Sequence, residues 1–203
     1  MYPGSHFHTR SHSDTFRGMH GDIEKVLLPQ ADIAARVAAL AAQITADHLA
    51  SSDGAELMIV PILTGAMIFC GDLIRKIPIA MRIGLCTVSS YPGQSLRSQG
   101  ARLLTQQLGD LRGRHVLLID DILDSGGTLR LVVPLLRDMG PASLRVCVLL
   151  RKDRPEARSV EVDYIGFDIP DVFVVGYGLD YNNYYRNLPD VVTLTPQAIR
   201  AKA

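Results

Sequence analysis

Ile33, Val37, Leu40 and Ile44 recur at helical spacing through an alanine-rich stretch, which predicts a helix over roughly residues 31–50 with one face on a core. The next apolar block, Leu57-Met-Ile-Val-Pro-Ile-Leu63, reads as a strand. Thr64-Gly65-Ala66 then forms a tight turn into a helix over residues 67–76. Pro61 has no N–H to give to a ladder, so this strand is expected near an edge or a bulge. Further apolar runs predict strands at residues 79–88, 116–119, 143–150, 164–167 and 173–175. Their alternation with helical segments makes the chain α/β with a parallel-rich sheet. Pro134 falls inside the last long helical pattern and predicts a kink or a shifted start there.

The most informative stretch is His115-Val-Leu-Leu-Ile-Asp-Asp-Ile-Leu-Asp-Ser-Gly-Gly-Thr-Leu129, in which an apolar strand runs into three carboxylates and a small-residue turn. Open α/β sheets bind ligands at the carboxyl ends of their strands, and the acids emerge at such an end. Ser125, Gly126, Gly127 and Thr128 offer unobstructed backbone N–H groups and two hydroxyls at the start of a helix, which suits a phosphate monoester. Thr128 is the expected helix cap. Asp120 and Asp121 are acceptor-only when ionised and could take hydrogen bonds from a vicinal diol or hold a hard cation. Asp124, one turn later, is placed to move a proton on whatever the sugar carries. An ordinary strand-to-helix connection with capping residues is the plain alternative, and the adjacent acidic pair tells against it. The P-loop is excluded because the chain has no Gly-Lys pair, and Gly176-Tyr-Gly178 lacks the third glycine of a dinucleotide fingerprint.

Composition narrows the class further. A chain of 203 residues is ample for one domain, or one domain with a small lobe. Lys plus Arg and Asp plus Glu stand at 21 each, so no global field would recruit nucleic acid or a membrane surface. No apolar run approaches membrane-spanning length. Cys70, Cys86 and Cys147 are scattered and odd in number, which argues for reduced thiols and a cytoplasmic protein. Residues 1–21 are rich in His, Ser and Gly with no apolar segment, and a disordered tail is expected there, leaving residues 22–203 as the folded domain. His6, His8 and His12 in that tail have nothing nearby to fix a metal geometry.

The acidic pair, the following Asp and the small-residue loop resemble the phosphoribosyl diphosphate signature of type I phosphoribosyltransferases. Ser89-Ser-Tyr91, Leu150-Arg-Lys152, residues 163–171, residues 173–181 and Tyr185-Arg-Asn-Leu-Pro189 narrow the likeness to the hypoxanthine-guanine phosphoribosyltransferases. The likeness runs in order from about Leu57 to Leu194. It implies the type I phosphoribosyltransferase fold: a parallel-rich central sheet flanked by helices, with a small hood lobe over the base site built from N-terminal and C-terminal segments.

Site roles follow from the same resemblance. It implies that Asp120 and Asp121 address the ribose hydroxyls and Mg2+, that Asp124 lies near purine N7, and that residues 125–128 form the 5′-phosphate loop. Lys152 would recognise the 6-oxo group, Phe173 would stack on the base, and Val174 would read its edge through the backbone. Asp180, grouped with the purine site, matches a magnesium-associated carboxylate, and Arg186 matches a diphosphate contact. Thr64 and Gly65 stand in the first diphosphate loop, where relatives commonly have Leu-Lys-Gly with a non-proline cis peptide; here a hydroxyl replaces the ammonium. Ser90 and Tyr91 align with a lid that closes over the reacting centre and excludes water.

The implied reaction moves the phosphoribosyl group of 5-phospho-α-D-ribosyl 1-diphosphate to a 6-oxopurine. A homodimer or homotetramer is the implied assembly. The alternative is a nucleotide-sensing RNA-binding regulator, which would want a basic face that the balanced charge does not suggest.

Overall fold

The computed structural model describes residues 19–51, 54–89 and 102–201. Most of the expected tail, residues 1–18, and the lid pair Ser90 and Tyr91 lie outside the described residues. The chain forms β1 (Ile23–Leu28), α1 (Gln30–Ser51), β2 (Leu57–Leu63), α2 (Met67–Ile74), β3 (Met81–Ile83), β4 (Leu85–Ser89) and β5 (Arg102–Gln107). It continues through β6 (His115–Leu123), α3 (Gly127–Asp138), β7 (Ser143–Lys152), α4 (Pro155–Arg158), β8 (Tyr164–Ile169), β9 (Val191–Leu194) and α5 (Pro196–Ala201).

The main sheet runs β5-β4-β2-β6-β7-β8, with β3 also pairing β2. All its pairings are parallel except β4 with β5. Strand alternation supplies both faces with apolar side chains, as a sheet covered on both sides requires. Leu57 and Ile59 of β2 and Leu117 and Ile119 of β6 pack with Ile33, Val37 and Leu40 of α1 and Phe69 and Leu73 of α2. Their alternates Met58, Val60, Val116 and Leu118 pack with Leu129, Val132 and Leu136 of α3. The expected parallel-rich α/β architecture is therefore present.

Pro61 does not mark an edge. β2 is an interior strand, and Pro61 sits opposite Ile119 of β6. The effect of the proline appears on the other side. Both β3 and β4 hold one register against β2, Ile59 opposite Ile83 and Ile62 opposite Cys86, and the ladder lapses between them where Pro61 has no N–H to give. One strand expected over residues 79–88 is thereby split in two. The helix after β6 starts at Gly127 and runs through Pro134, whose missing N–H leaves the Arg130 carbonyl without its helical donor. α2 ends at Ile74, two residues short of the expected 76. Residues 173–175 form no strand; only Val175 bridges Val192.

A second, two-stranded sheet pairs β1 antiparallel with β9 and joins the two ends of the chain. Val175, Tyr185, Leu188, Val192, Leu194 and Ala198 form its buried core, with Met19 and Ile23 packed against them. The Tyr185 hydroxyl donates to Asp22 Oδ2 at 2.8 Å. Met19 belongs to this packing although the tail was expected to reach residue 21.

At the N-terminal ends of β6 and β7, His48 and His115 meet edge to face with ring centroids 5.3 Å apart. Burial, then the neighbouring His115 and Arg145, hold the His48 pKa below its ordinary 6.5. The unfolded chain therefore takes up this proton first as pH falls. The stability that goes with neutral His48 is fully present above about pH 6.5 and is lost as pH falls toward the folded pKa. Thermal midpoints measured from pH 7.5 to 5 should fall for the parent and fall less steeply for His48→Asn; parallel slopes would contradict this assignment.

Candidate active site

Parallel strands bring their carboxyl ends to one edge, and the expected site residues lie at or beyond those ends of β2, β6, β7 and β8. β6 carries the chain from fully buried Leu118 and Ile119 directly into Asp120, which is 5% exposed. Burial raises the Asp120 pKa, and the neighbouring Asp121 carboxylate raises it further. Burial also raises that of Asp121, against hydrogen bonds and the Arg186 charge, which lower it. Asp120 Oδ1 accepts from the Asp121 N–H at 3.1 Å, and Asp121 Oδ1 from the Ile122 N–H at 2.9 Å. A buried acid beside a half-buried one is arranged to face a cation or donors from a ligand.

The turn after β2 comes to the same place. The Leu63–Thr64 peptide is cis, as in the family that the sequence resembles. A Cβ on Gly65 would stand 1.9 Å from Asp121 Oδ2, so only glycine lets this turn lie on the carboxylate. Gly178 closes the other side: its φ is +104°, and a Cβ there would stand 2.4 Å from the Gly65 carbonyl oxygen. Arg186 Nη1 donates to the carbonyl of Gly178 itself at 2.7 Å, and its Nη2 pairs with Asp180 Oδ1 at 2.7 Å. Thr64, Gly65, Asp121 and Arg186, distant in sequence, are thus linked through successive contacts.

Asp180 is held apart from the acidic pair. Its second oxygen accepts from the Asn183 N–H at 2.8 Å. Among the described residues no three His, Cys, Asp or Glu side chains converge on a metal position, so the expected set Asp120, Asp121 and Asp180 does not form a protein cage. That donor set still fits magnesium, which keeps several waters and takes one or two carboxylates together with substrate phosphates.

Beyond the acids, Gly126 adopts φ +82° and serves as the N-cap of α3 without any side-chain cap. Thr128 is therefore inside the helix rather than its cap, because the left-handed glycine already turns the chain. The first-turn N–H groups of a 12-residue helix point out of this loop, with a dipole that favours an anion.

At the far side of the loop lies an ion network. Lys152 at the end of β7 is 8% exposed, and its Nζ stands 3.4 Å from Asp124 Oδ2 and 3.6 Å from Asp171 Oδ1. Arg154 makes shorter contacts to the same two acids: Nη1 to Asp124 Oδ1 at 2.6 Å and Nε to Asp171 Oδ2 at 2.7 Å. Sequence reasoning assigned no role to Arg154 or Asp171. The available signal was the Lys152-Asp-Arg154 spacing at a strand end, since alternate residues of an extended chain point the same way. Val174 is buried, whereas Phe173 is 47% exposed and its ring lies nearly perpendicular to that of Tyr181, with centroids 5.5 Å apart.

The family model of the phosphoribosyl transferase domain matches residues 25–182. The hypoxanthine-guanine phosphoribosyltransferase of Mycobacterium tuberculosis is 44% identical over 179 residues, covering 87% of this chain and 89% of that protein. The hypoxanthine phosphoribosyltransferase of Escherichia coli is 40% identical over 165 residues, covering 81% and 92%. Among solved structures, a hypoxanthine phosphoribosyltransferase from Staphylococcus aureus superposes with a TM-score of 0.82 at 38% identity, covering 91% of this chain and 98% of that one.

Gly65→Ala should force the Asp121 carboxylate out of its position and cost about 1–3 kcal/mol as an overpacked contact, read by urea titration and by a crystal structure of the variant. Unchanged stability with Asp121 in place would contradict the close approach.

Proposed function

The chain belongs to the phosphoribosyltransferase family, and from that membership we propose a purine-salvage reaction: transfer of the 5-phosphoribosyl group from 5-phospho-α-D-ribosyl 1-diphosphate to N9 of hypoxanthine or guanine. The products are IMP or GMP and diphosphate. The observation that carries this reading is the pairing of Asp124 and Lys152, 3.4 Å apart, next to the small-residue loop at the start of α3. A 6-oxopurine presents an N7 proton and a 6-oxo acceptor side by side. A carboxylate beside an ammonium is their complement. Adenine would turn an amino group toward the ammonium and leave buried Lys152 without an acceptor on the base, so it is rejected.

In this reading the loop of Ser125, Gly126, Gly127 and Thr128 takes the 5′-phosphate on backbone N–H groups, and Asp120 and Asp121 take the ribose hydroxyls. The Thr64-Gly65 turn and Arg186 meet the diphosphate. Half-exposed Phe173 stacks on the base, and Val174 reads the base edge through its backbone. Magnesium held through Asp120 and Asp121 would neutralise charge on the leaving diphosphate. As the bond from C1′ to diphosphate loosens, the ribosyl centre becomes cation-like, and Asp124 receives the N7 proton while Lys152 holds the 6-oxo group.

The same proposal includes a cytoplasmic setting and a homodimer or homotetramer. Cys70, Cys86 and Cys147 are all free and buried, and burial pushes the Cys70 thiol up to about 11, which suits a reducing compartment. Among the described residues no helix is long and apolar enough to cross a membrane. Met67 and Ile83, each about half exposed, supply apolar surface for assembly. The regulatory RNA-binding alternative draws no support from the relatives, whose names are those of enzymes.

Mixing the protein with magnesium, the diphosphate sugar and each purine in turn should give the ultraviolet change of nucleotide formation with hypoxanthine or guanine and none with adenine. Asp124→Asn should lower turnover ~100-fold while remaining folded. Full turnover by that variant, or turnover with adenine alone, would overturn the reading.

A further inference from the structure

We infer that Arg154 is a positioning residue for the purine end of the site, acting by fixing the plane of the Asp124 carboxylate. The inference rests on the proposed role of Asp124 and adds a residue to it. Four charged groups from three neighbouring strand ends form a closed circuit, Asp124 and Asp171 each facing both Lys152 and Arg154.

Distance separates the two cations. The arginine contacts, 2.6 and 2.7 Å, lie at the length of charge-assisted hydrogen bonds. The lysine contacts, 3.4 and 3.6 Å, are longer than such bonds. Arg154 therefore holds the carboxylate, and the Lys152 donors stay uncommitted for a second acceptor. A planar guanidinium with one edge on each acid fixes orientation in a way that a point-like ammonium cannot. The backbone prepares this geometry. Arg154 is extended, at φ −132° and ψ 143°, immediately before Pro155 opens α4. Its N–H donates to the Lys152 carbonyl at 2.8 Å, and the Asp153 N–H donates to the Ile169 carbonyl at the end of β8.

Asp171 anchors the arginine on the far side, so loss of either residue frees Asp124 to rotate. The carboxylate also has more than one lone pair on each oxygen and can keep Arg154 while it accepts a purine proton. The Arg154 side chain is 36% exposed, so its contribution to stability is small, and its effect should appear in the reaction.

The test is a kinetic cycle on the full chain with hypoxanthine and the diphosphate sugar. Arg154→Ala should lower kcat ~10-fold or more, as expected for a displaced catalytic group, while KM for the diphosphate sugar stays within about twofold of the parent. Arg154→Lys should recover part of the loss, and Asp171→Asn should reproduce part of it. In an Asp124→Asn background, Arg154→Ala should add less than about a further twofold, because two residues acting as one unit are not additive. A kcat within twofold of the parent for Arg154→Ala, or losses that multiply in the double variant, would overturn the inference. Full turnover by Asp124→Asn alone would instead overturn the underlying reading of the site. Should Arg154→Ala fail to fold, the same comparisons made with Arg154→Lys and Asp171→Asn decide the question.

Discussion

Setting two adjacent carboxylates, one buried and one half-buried, near the end of a strand is costly unless something cationic or hydrogen-bonding comes to meet them, and the rest of the site is built around that cost. Asp120 and Asp121 follow four residues of β6 that are almost fully buried, so the strand cannot slide to expose them without exposing its core. Desolvation pushes both acids toward their neutral forms, and Asp120 is pushed further by its neighbour. Gly65 brings the turn after β2 onto Asp121, Gly178 brings the segment between β8 and β9 onto that turn, and Arg186 supplies positive charge from the same segment. Strand direction makes this possible: in a parallel sheet, the residues after β2, β6, β7 and β8 all emerge at one edge.

The purine end solves the charge problem differently. Lys152 is nearly as buried as Asp120, but it shares two carboxylates with Arg154, so the four groups sum to zero. A neutral network tolerates burial without asking for a metal, and it leaves an ammonium and a carboxylate side by side for an uncharged base. The two ends are therefore specialised: excess negative charge where a diphosphate sugar and its cation are proposed to bind, and balanced charge where a purine is.

Most of the fold's centre was legible because its signals are local. β2 occupies the predicted residues 57–63, and α1 runs only one residue beyond the predicted 31–50 at each end, since an uninterrupted apolar run and a four-residue apolar repeat need no knowledge of partners. The second sheet was harder. β1 is largely exposed and carries Glu24 and Lys25, and it becomes a strand only by pairing with β9, across the length of the chain. Residues 173–175 look like a strand but supply a single bridge, because the positive-φ turns at Gly176 and Gly178 divert the chain toward Gly65. Pro61 was read correctly as an unwilling donor, but the sheet absorbed it by interrupting a neighbour instead of ending at it. The motif residues were visible as types and spacings; the Arg154 bridge depends on where β6, β7 and β8 end relative to one another, which no local pattern encodes.

A crystal structure of the protein with IMP bound would show whether one sheet edge separates a phosphate and ribose end from a charge-balanced base end. The phosphate oxygens should lie on the backbone N–H groups of residues 126–128, the ribose hydroxyls at Asp120 and Asp121, and the 6-oxo group at Lys152 with the ring over Phe173. A nucleotide bound with its phosphate away from the start of α3, or with its base remote from Lys152, would contradict it.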